Sequence, residues 1–245
     1  MKIEKQIRRK VLKMLYESKS SHLGGNMSCV EILVALYYKI MKPGDHFILS
    51  KGHCIATLYA ILADKGIIPK KLLDTYYQKD GLPGHATKME GIEVSTGSLG
   101  HGLPIGIGMA LADRNHKVYV LMSDGEMQAG TTWESALFAS HHKLNNLVVI
   151  IDYNKWQAFG RINEVLNLEP LKEKWKMFGW VAVEVDGHSF RELDLGFNIP
   201  QWEKPLIIIA HTIKGKGVSF YEDKLESHYH SLTKEQYEKA LKENL

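Results

Sequence analysis

Two polar side chains, each following an apolar run, could together hold a divalent cation. Asp124 comes shortly after the run 118–122, and Asn154 comes shortly after the run 147–151. Their spacing is about one βαβ repeat, so neighbouring strands would bring both side chains to one crevice. A carboxylate and an amide oxygen suit Mg²⁺ or Ca²⁺, and bound Mg²⁺ usually keeps water and phosphate oxygens as further ligands. Spacing alone also allows the alternative that both residues only cap helices.

Histidines in glycine-rich segments form a second candidate group, comprising His22, His53, His85 and His101. None has the spacing that is typical of paired metal ligands on a helix. Imidazoles can hydrogen-bond to hydroxyls, carbonyls and phosphates near pH 7. We therefore expect a pocket for a polyhydroxylated substrate, with or without a phosphate group. His141 and His142 lie in a helical stretch and are expected to face solvent.

The glycine-rich segments do not match nucleotide-binding or nucleophile motifs. Residues 97–102, Gly-Ser-Leu-Gly-His-Gly, form a tight loop before a helix, but they are not G-x-G-x-x-G and follow no obvious strand. No G-x-S-x-G segment is present. The Lys-Gly-Lys-Gly run at 214–217 is too short for a P-loop. A nucleotide-binding oxidoreductase is therefore the weakest of the functional hypotheses.

Four apolar runs rich in β-branched residues must position these side chains. The runs cover 118–122, 147–151, 181–185 and 206–210. Most lack polar alternation, and the segments between them are long enough for crossover helices. This pattern predicts an α/β fold with a mostly parallel sheet and helices on both faces. Ligands bind at the carboxyl ends of the strands in such sheets.

The remaining pattern predicts one short strand and several helices. Ser28 and Glu31 have the spacing of a capping box at the start of the second helix. A glycine-rich loop is expected over 81–108. The predicted helices cover 3–16, 28–40, 52–65, 109–115, a short stretch within 189–203, and 233–245, and the short strand covers 47–50.

Composition is that of an ordinary globular protein. The chain has 245 residues, of which 44% are hydrophobic. Its net charge of +3 is too balanced to indicate a nucleic-acid-binding surface. Cys29 and Cys54 form no C-x-x-C pair, so a cytoplasmic location is the simplest expectation. No apolar run approaches the roughly 20 residues of a membrane span. The first ten residues are charged and lack the apolar stretch of a secretion signal.

In sequence order, the motifs resemble those of the N-terminal subunit of a split transketolase. The run Asp124-Gly125-Glu126 followed by Asn154 is similar to the thiamine-diphosphate motif, and the similarity extends nearly end to end. The further matching segments are Ser-His-Leu-Gly-Gly at 21–25, Leu-Ser-Lys-Gly-His at 49–53, Gly-His at 84–85, Ser-Thr-Gly-Ser-Leu-Gly at 95–100, Asp-Tyr-Asn-Lys-Trp-Gln at 152–157, Val-Asp-Gly-His at 185–188 and Ile-Lys-Gly-Lys-Gly-Val-Ser-Phe at 213–220.

The resemblance implies thiamine diphosphate as cofactor, with Mg²⁺ or Ca²⁺ held by Asp124, Asn154 and the backbone carbonyl of Trp156. It also implies that His228 lines the substrate funnel, although His230 competes for this role. The other implied roles are diphosphate contacts for Gly125 and Glu126, cofactor contacts for Gly97, Ser98 and Leu99, a contact of His53 with cofactor phosphate and donor substrate, and substrate contacts for His22 and His85.

The resemblance further implies that residues 1–245 form a single diphosphate-binding domain with an N-terminal helical segment. The pyrimidine-binding domain is expected on a separate chain, which would supply the catalytic Glu and complete a heterotetramer. The implied reaction, in carbohydrate metabolism, transfers a two-carbon ketol unit from a ketose or its phosphate to an aldose or its phosphate. This chain is therefore expected to be one half of an enzyme and to be inactive without the other half.

Three departures from the family pattern keep alternatives open. Ser123 replaces the first glycine of the cofactor motif, His101 replaces a common Gln, and Ala129 stands where a Glu is usual. One alternative is a subunit of another thiamine-diphosphate-dependent carbon–carbon bond enzyme that acts on specialised sugars. The other is a non-catalytic subunit that has kept the fold. The sequence of a partner chain would distinguish the first alternative.

Overall fold

A five-stranded, entirely parallel sheet forms the centre of the computed structural model, which describes residues 2–245. The strand order is β1-β2-β3-β5-β4. Ser123 at the end of β2 pairs with Asp152 in β3, so the segments that follow these two strands leave the sheet side by side. The strands are β1 (His46–Leu49), β2 (Val118–Ser123), β3 (Leu147–Tyr153), β4 (Val181–Asp186) and β5 (Leu206–His211).

Ten α-helices are found among residues 2–245. They are α1 (Ile3–Glu17), α2 (Leu23–Ser28), α3 (Val30–Ala35), α4 (Ile55–Asp64), α5 (Gly102–Ala112), α6 (Gly130–His141), α7 (Ile162–Val165), α8 (Leu171–Met177), α9 (Phe190–Phe197) and α10 (Lys234–Glu243). A π-helical turn, Leu36–Ile40, continues α3. None of the described helices has both the length and the apolar character that crossing a membrane requires.

Side chains that alternate along the strands build a separate core on each face of the sheet. Tyr119 and Leu121 of β2 pack with α1, α3, α4 and α9, whereas Val120 and Met122 pack with α5, α6 and α8. Strands buried on both faces need no polar alternation, which explains the apolar runs. The prediction of a parallel sheet covered on both faces is confirmed.

The predicted capping box at Ser28 and Glu31 is wrong. Ser28 ends α2, and its hydroxyl donates a hydrogen bond to Asp152 at 2.6 Å. The Glu31 carboxylate binds Arg8 instead of a backbone N–H. Both polar side chains have buried charged partners from distant segments, and these contacts are stronger than a local cap.

Helix α5 begins seven residues earlier than predicted, because two of its glycines, Gly102 and Gly106, serve close packing and not a loop. A Cβ atom on Gly102 would lie 2.3 Å from Ser50 Oγ, and one on Gly106 would lie 2.6 Å from Val120 Cγ2. The missing side chains let the helix approach the sheet. Glycine content, which predicts a loop from sequence alone, here marks a helix–sheet contact.

Candidate functional site

A cavity of about 270 Å³ opens at the carboxyl ends of β2 and β3. This is the edge at which ligands bind in parallel α/β sheets. The loops that follow β2, β3 and β5 contribute to its wall, together with segments from the first hundred residues. The lining residues are His22, Gly25, Lys51, His53, His85, Gly97, Leu99, Ser123, Asp124, Gly125, Asn154, Trp156, Gln157, Ala158, Phe159, Lys214 and His228.

The loops carrying Asp124 and Asn154 meet in this cavity. Asp124 is 1% exposed, and its carboxylate accepts the backbone N–H of Gly125 at 2.8 Å and that of Lys155 at 2.7 Å. Asn154 Oδ1 accepts the N–H of Trp156 at 3.1 Å. The side chain at the end of one strand thus contacts the loop that follows its neighbour, as a shared crevice requires.

A buried acid and a buried base face the cavity. Burial, and next the charge of Asp152, raises the pKa of Asp124 to about 7. Burial lowers the pKa of Lys214 to about 8, and its Nζ lies 3.2 Å from His228 Nδ1. A bound cation beside the carboxylate and an anion beside the ammonium group would favour both charged forms.

The donor set fits a hard divalent cation that carries phosphate. A carboxylate and an amide oxygen at adjacent strand ends leave most coordination positions free for phosphate oxygens and water, as Mg²⁺ prefers. No group of three or more His, Cys, Asp or Glu side chains within residues 2–245 is arranged to hold a metal by itself. The residues present therefore fit a metal bound jointly with a diphosphate.

Four histidines from distant segments line the cavity, and three of them surround the fourth, His22. The centroid of its ring lies 5.3 Å from that of His53, 6.1 Å from His85 and 4.9 Å from His228. The backbone N–H of His22 donates to the carbonyl of His228 at 2.8 Å, which fixes the two segments together. His228 therefore lies at the cavity, whereas His230 is exposed and does not line it.

Desolvation favours the neutral form of three cavity imidazoles, those of His22, His85 and His228. Burial, and next the charge of His53, lowers the pKa of His22 to about 4. Burial, and next the charge of Lys214, lowers the pKa of His228 to about 3. Burial also lowers the pKa of His85. At neutral pH each ring has one donor and one acceptor nitrogen, which suits hydroxyl and carbonyl groups of a sugar.

The expectation that His101 belongs to this histidine group is wrong. His101 is exposed at the start of α5, and its Nδ1 lies 3.1 Å from Ser98 Oγ. His141 and His142 are exposed, as predicted. The fourth cavity histidine is His228, whose backbone is brought to the cavity by the C-terminal part of the chain.

Ten of the predicted site residues line the cavity, but Ser98 and Glu126 do not. The hydroxyl of Ser98 contacts His101. Glu126 is fully buried, and its carboxylate accepts the N–H of Ser123 at 2.7 Å and that of Gly100 at 3.0 Å. Because its carboxylate oxygens bind these backbone segments, Glu126 supports the cavity wall without lining the cavity.

Sequence reasoning missed Lys51 and Lys214. Lys214 follows β5 at the cavity edge of the sheet and is only 2% exposed, although the Lys-Gly-Lys-Gly run resembles a solvated turn. The ammonium group of Lys51 pairs with the buried carboxylate of Asp152 and donates to the carbonyl of Gly25 at 3.1 Å. Position along the chain could have indicated both lysines. Lys214 follows β5, and Asp152, the partner of Lys51, lies near the end of β3, so both regions are at the edge where ligands bind.

Residues 155–162 form a small hairpin at the cavity wall, which we call the rim hairpin. The backbone N–H of Ile162 donates to the carbonyl of Lys155 at 3.0 Å. Asp223 accepts the indole N–H of Trp156 at 2.7 Å and pairs with Arg161 at 2.7 Å. The guanidinium of Arg161 lies 4.2 Å from the centroid of the Trp156 ring. Three side chains thus fasten the rim hairpin to the loop after β5.

Curated relatives match nearly the whole chain. It is 41% identical to an apulose-4-phosphate transketolase subunit of Phocaeicola vulgatus, over 96% of this chain and 90% of that protein. It is also 41% identical to the 6-deoxy-6-sulfo-D-fructose transketolase subunit SqwG of a Clostridium species, over 97% of this chain and 93% of that protein. These relatives have similar extents to this chain and are named as subunits.

Solved structures share the fold. The transketolase of Campylobacter jejuni superposes with a TM-score of 0.92 at 28% identity, covering all of this chain but 43% of the other. The chain thus spans less than half the length of that transketolase. The family described as "Transketolase, thiamine diphosphate binding domain" matches residues 1–245. The chain belongs to the transketolase family and corresponds to its thiamine-diphosphate-binding domain.

Proposed function

We propose that this chain is the cofactor-binding subunit of a two-chain transketolase that transfers a two-carbon ketol unit between sugar phosphates or related sugars. The carrying observation is the single cavity in which Asp124, Asn154, Lys214 and the neutral histidines converge. Relatives of similar extent are named as transketolase subunits that act on apulose 4-phosphate or on 6-deoxy-6-sulfo-D-fructose. These names favour a specialised ketose as the donor substrate of the proposed enzyme as well.

In this proposal, Asp124, Asn154 and the carbonyl of Trp156 would hold Mg²⁺, and Gly125 and the ammonium group of Lys214 would contact the diphosphate. Bound thiamine diphosphate supplies an electron sink for breaking and forming carbon–carbon bonds. Gly97 and Leu99 contact the cofactor at the cavity wall. His53 would contact the cofactor phosphate and the donor substrate, and the centroid of its ring lies 5.3 Å from that of His22.

The substrate part of the cavity orients a polyhydroxylated chain. His22, His85 and His228 offer donors and acceptors that are neutral at physiological pH, so they can hydrogen-bond to hydroxyls without attracting the metal-bound anion. Burial of the cavity floor excludes bulk water and strengthens these hydrogen bonds. The histidines would thereby select the length and stereochemistry of the sugar.

The domain organisation belongs to the same proposal. Residues 1–245 make one diphosphate-binding domain, and a second chain supplies the pyrimidine-binding domain with its catalytic Glu. The support is that the named subunit relatives have nearly the extent of this chain, whereas the Campylobacter transketolase is more than twice as long. We propose that the assembled enzyme contains two copies of each chain. We place it in the cytoplasm because both cysteines of this chain are free.

The test is to co-purify the chain with its candidate pyrimidine-binding partner and titrate thiamine diphosphate with and without Mg²⁺ by calorimetry. Ketol transfer is then assayed from a ketose phosphate to an aldose phosphate. We expect Mg²⁺-dependent binding, transfer by the pair and none by this chain alone. A pair that binds no thiamine diphosphate would refute the proposal. Binding without transfer on any phosphorylated or sulfonated ketose would favour a non-catalytic role.

Asp124→Asn provides the residue-level check. Loss of the carboxylate should weaken Mg²⁺-dependent cofactor binding by more than about tenfold, because even outer partners of metal ligands contribute roughly 10- to 100-fold to affinity. The fold should persist by circular dichroism. Asp113→Asn is the matched control, since this partly exposed aspartate lies at the opposite end of β2, where it contacts His116. Equal cofactor affinity in both variants would contradict the ligand assignment.

A further inference from the structure

Both ring nitrogens of His188 have fixed partners. This residue ends the Val-Asp-Gly-His motif, which begins within β4, and it does not line the cavity. Its Nε2 accepts the backbone N–H of Ile213 at 2.9 Å, and its Nδ1 lies 3.0 Å from Glu31 Oε2. Since Nε2 accepts a hydrogen bond, Nδ1 must carry the proton that it donates to the carboxylate. These partners set both the tautomer and the orientation of the ring.

A buried ion pair lies behind His188. The guanidinium of Arg8 donates two parallel hydrogen bonds to Glu31, at 2.7 and 2.8 Å. Burial alone would raise the pKa of Glu31, but hydrogen bonds from His188 and Arg8 outweigh this effect and lower it to about 2. Glu31 is therefore a permanent acceptor. Such bidentate pairs have a fixed geometry, which makes them suitable anchors.

The same network holds the next loop at two points. His188 binds Ile213, and Arg8 Nε donates to the carbonyl of Lys216 at 3.0 Å. Lys214 lies between these two anchors. The N–H of Gly215 also donates to the carbonyl of Gly24 at 2.9 Å, on the cavity side. The backbone that carries Lys214 is thus bound before and after this residue.

We propose that His188 is a positioning residue that, with Glu31 and Arg8 behind it, holds the ammonium group of Lys214 in the cavity for an anionic ligand. A lysine side chain has four rotatable bonds and strong hydration, so a buried ammonium needs a fixed backbone to keep it in place. The identification of this ligand as the diphosphate of the cofactor rests on the proposed function. The positioning of Lys214 itself does not depend on it.

The first experiment measures the position of Lys214 without cofactor. The two-chain complex is treated briefly with an amine-acylating reagent, and the modification of individual lysines is quantified by mass spectrometry. We expect His188→Ala to raise the labelling rate of Lys214 by roughly tenfold through local opening. Lys51, equally buried but paired with Asp152, is the internal control and should not change. A joint rise at both lysines, or none at Lys214, would overturn the proposal.

The second experiment is a double-mutant cycle on thiamine diphosphate affinity, measured by calorimetry with Mg²⁺. His188→Ala should weaken binding about tenfold in the wild-type background, as the loss of one well-placed charged contact would. In the Lys214→Met background it should have no further effect, because the residue acts through Lys214. An equal loss in both backgrounds would show a general structural role and overturn the proposal.

His188→Gln keeps the proposal testable if the alanine variant folds poorly. The carboxamide can accept from Ile213 and donate to Glu31, so it should restore both cofactor affinity and the protection of Lys214. Failure of Gln to restore either one in a folded complex would count against the inference. If the wild-type complex bound no cofactor, the proposed function would fail, whereas selective exposure of Lys214 in His188→Ala would still support its positioning.

Discussion

The low pKa values of His22 and His228 favour neutral rings, and this follows from where the two side chains lie. His22 and His228 face each other with ring centroids 4.9 Å apart, and both are largely removed from solvent. Two adjacent imidazolium ions would repel each other there, and Lys214 adds a further positive charge beside His228. With these two rings neutral, Lys214 supplies a positive charge beside them.

His228 and His230 offer a matched comparison at the residue scale. We expect His228→Asn to lower kcat/KM for ketol transfer about tenfold or more, because one hydrogen bond to a sugar hydroxyl is lost or misplaced. His230→Asn should have little effect, since His230 is exposed outside the cavity. Steady-state kinetics of the two-chain complex, with cofactor affinity as a control, decide the point. Equal effects of both substitutions would contradict the assignment.

The rim hairpin is the element that presents Trp156 to the cavity, and it is fastened by one carboxylate. Asp223 accepts hydrogen bonds from both Trp156 and Arg161, so a single side chain connects the ring, the guanidinium and the loop after β5. Each exposed contact contributes little by itself. Because both donors share one acceptor, loss of the Asp223 carboxylate removes both contacts at once.

Removing that carboxylate should loosen the hairpin without unfolding the protein. We expect Asp223→Ala to increase the rate of tryptic cleavage after Lys155 or Arg161 about fivefold, the change that roughly 1 kcal/mol of local stability represents. Asp80→Ala is the control, because Asp80 is exposed and has a positive φ of 61°, close to the 55° of Asp223. Cleavage that is equally slow in both variants would show that the cluster does not restrain the hairpin.

At the scale of elements, the sequence predicted what depends on local pattern. The strands followed from apolar runs, and the meeting of Asp124 with the Asn154 loop followed from strand adjacency. The start of α5 at Gly102 could not be predicted, because its glycines are explained by Ser50 and Val120, which are distant in sequence. The same holds for Lys51, whose burial depends on its partner Asp152. Long-range polar pairs leave no periodic signal.

Across the whole molecule, two buried ion pairs join segments that are distant in sequence. Arg8 and Glu31 join α1 to α3, and Lys51 pairs with Asp152 of β3. Breaking a buried pair by removing one partner typically costs about 3–5 kcal/mol, because the other charge is left unpaired. Substitutions that remove one charge of either pair should therefore destabilise the fold.

Burial of His22 and His228 should make the thermal stability of the chain fall as the pH is lowered below about 6.5, and protonation of Asp124, whose pKa is raised to about 7, offsets part of this loss. His22 and His228 have pKa values of about 4 and 3 in the folded chain, below the ordinary value of 6.5. Between pH 6.5 and 4 the unfolded chain binds protons that the folded chain excludes, so acid favours unfolding. Glu31, with a pKa of about 2 against an ordinary 4.5, extends the loss from about pH 4.5 to 2.

The check is the pH dependence of the unfolding midpoint, measured for the chain and for the double variant His22→Asn, His228→Asn. The variant should have a flatter profile between pH 6.5 and 4, and Asn suits the positive φ of 69° at position 22. His141→Asn, which alters an exposed histidine, should keep the original slope. If both profiles keep that slope, the buried histidines are not responsible for acid sensitivity.

The backbone hydrogen bond from His22 to the carbonyl of His228 has a consequence for biosynthesis. During translation, the first hundred residues leave the ribosome long before the segment that completes their wall. Until His228 has emerged, a nascent chain lacks one side of the cavity, so we expect it to bind the vitamin-derived ligand only weakly. We therefore expect the ligand to bind and stabilise completed chains by mass action, and not to stabilise the growing polypeptide.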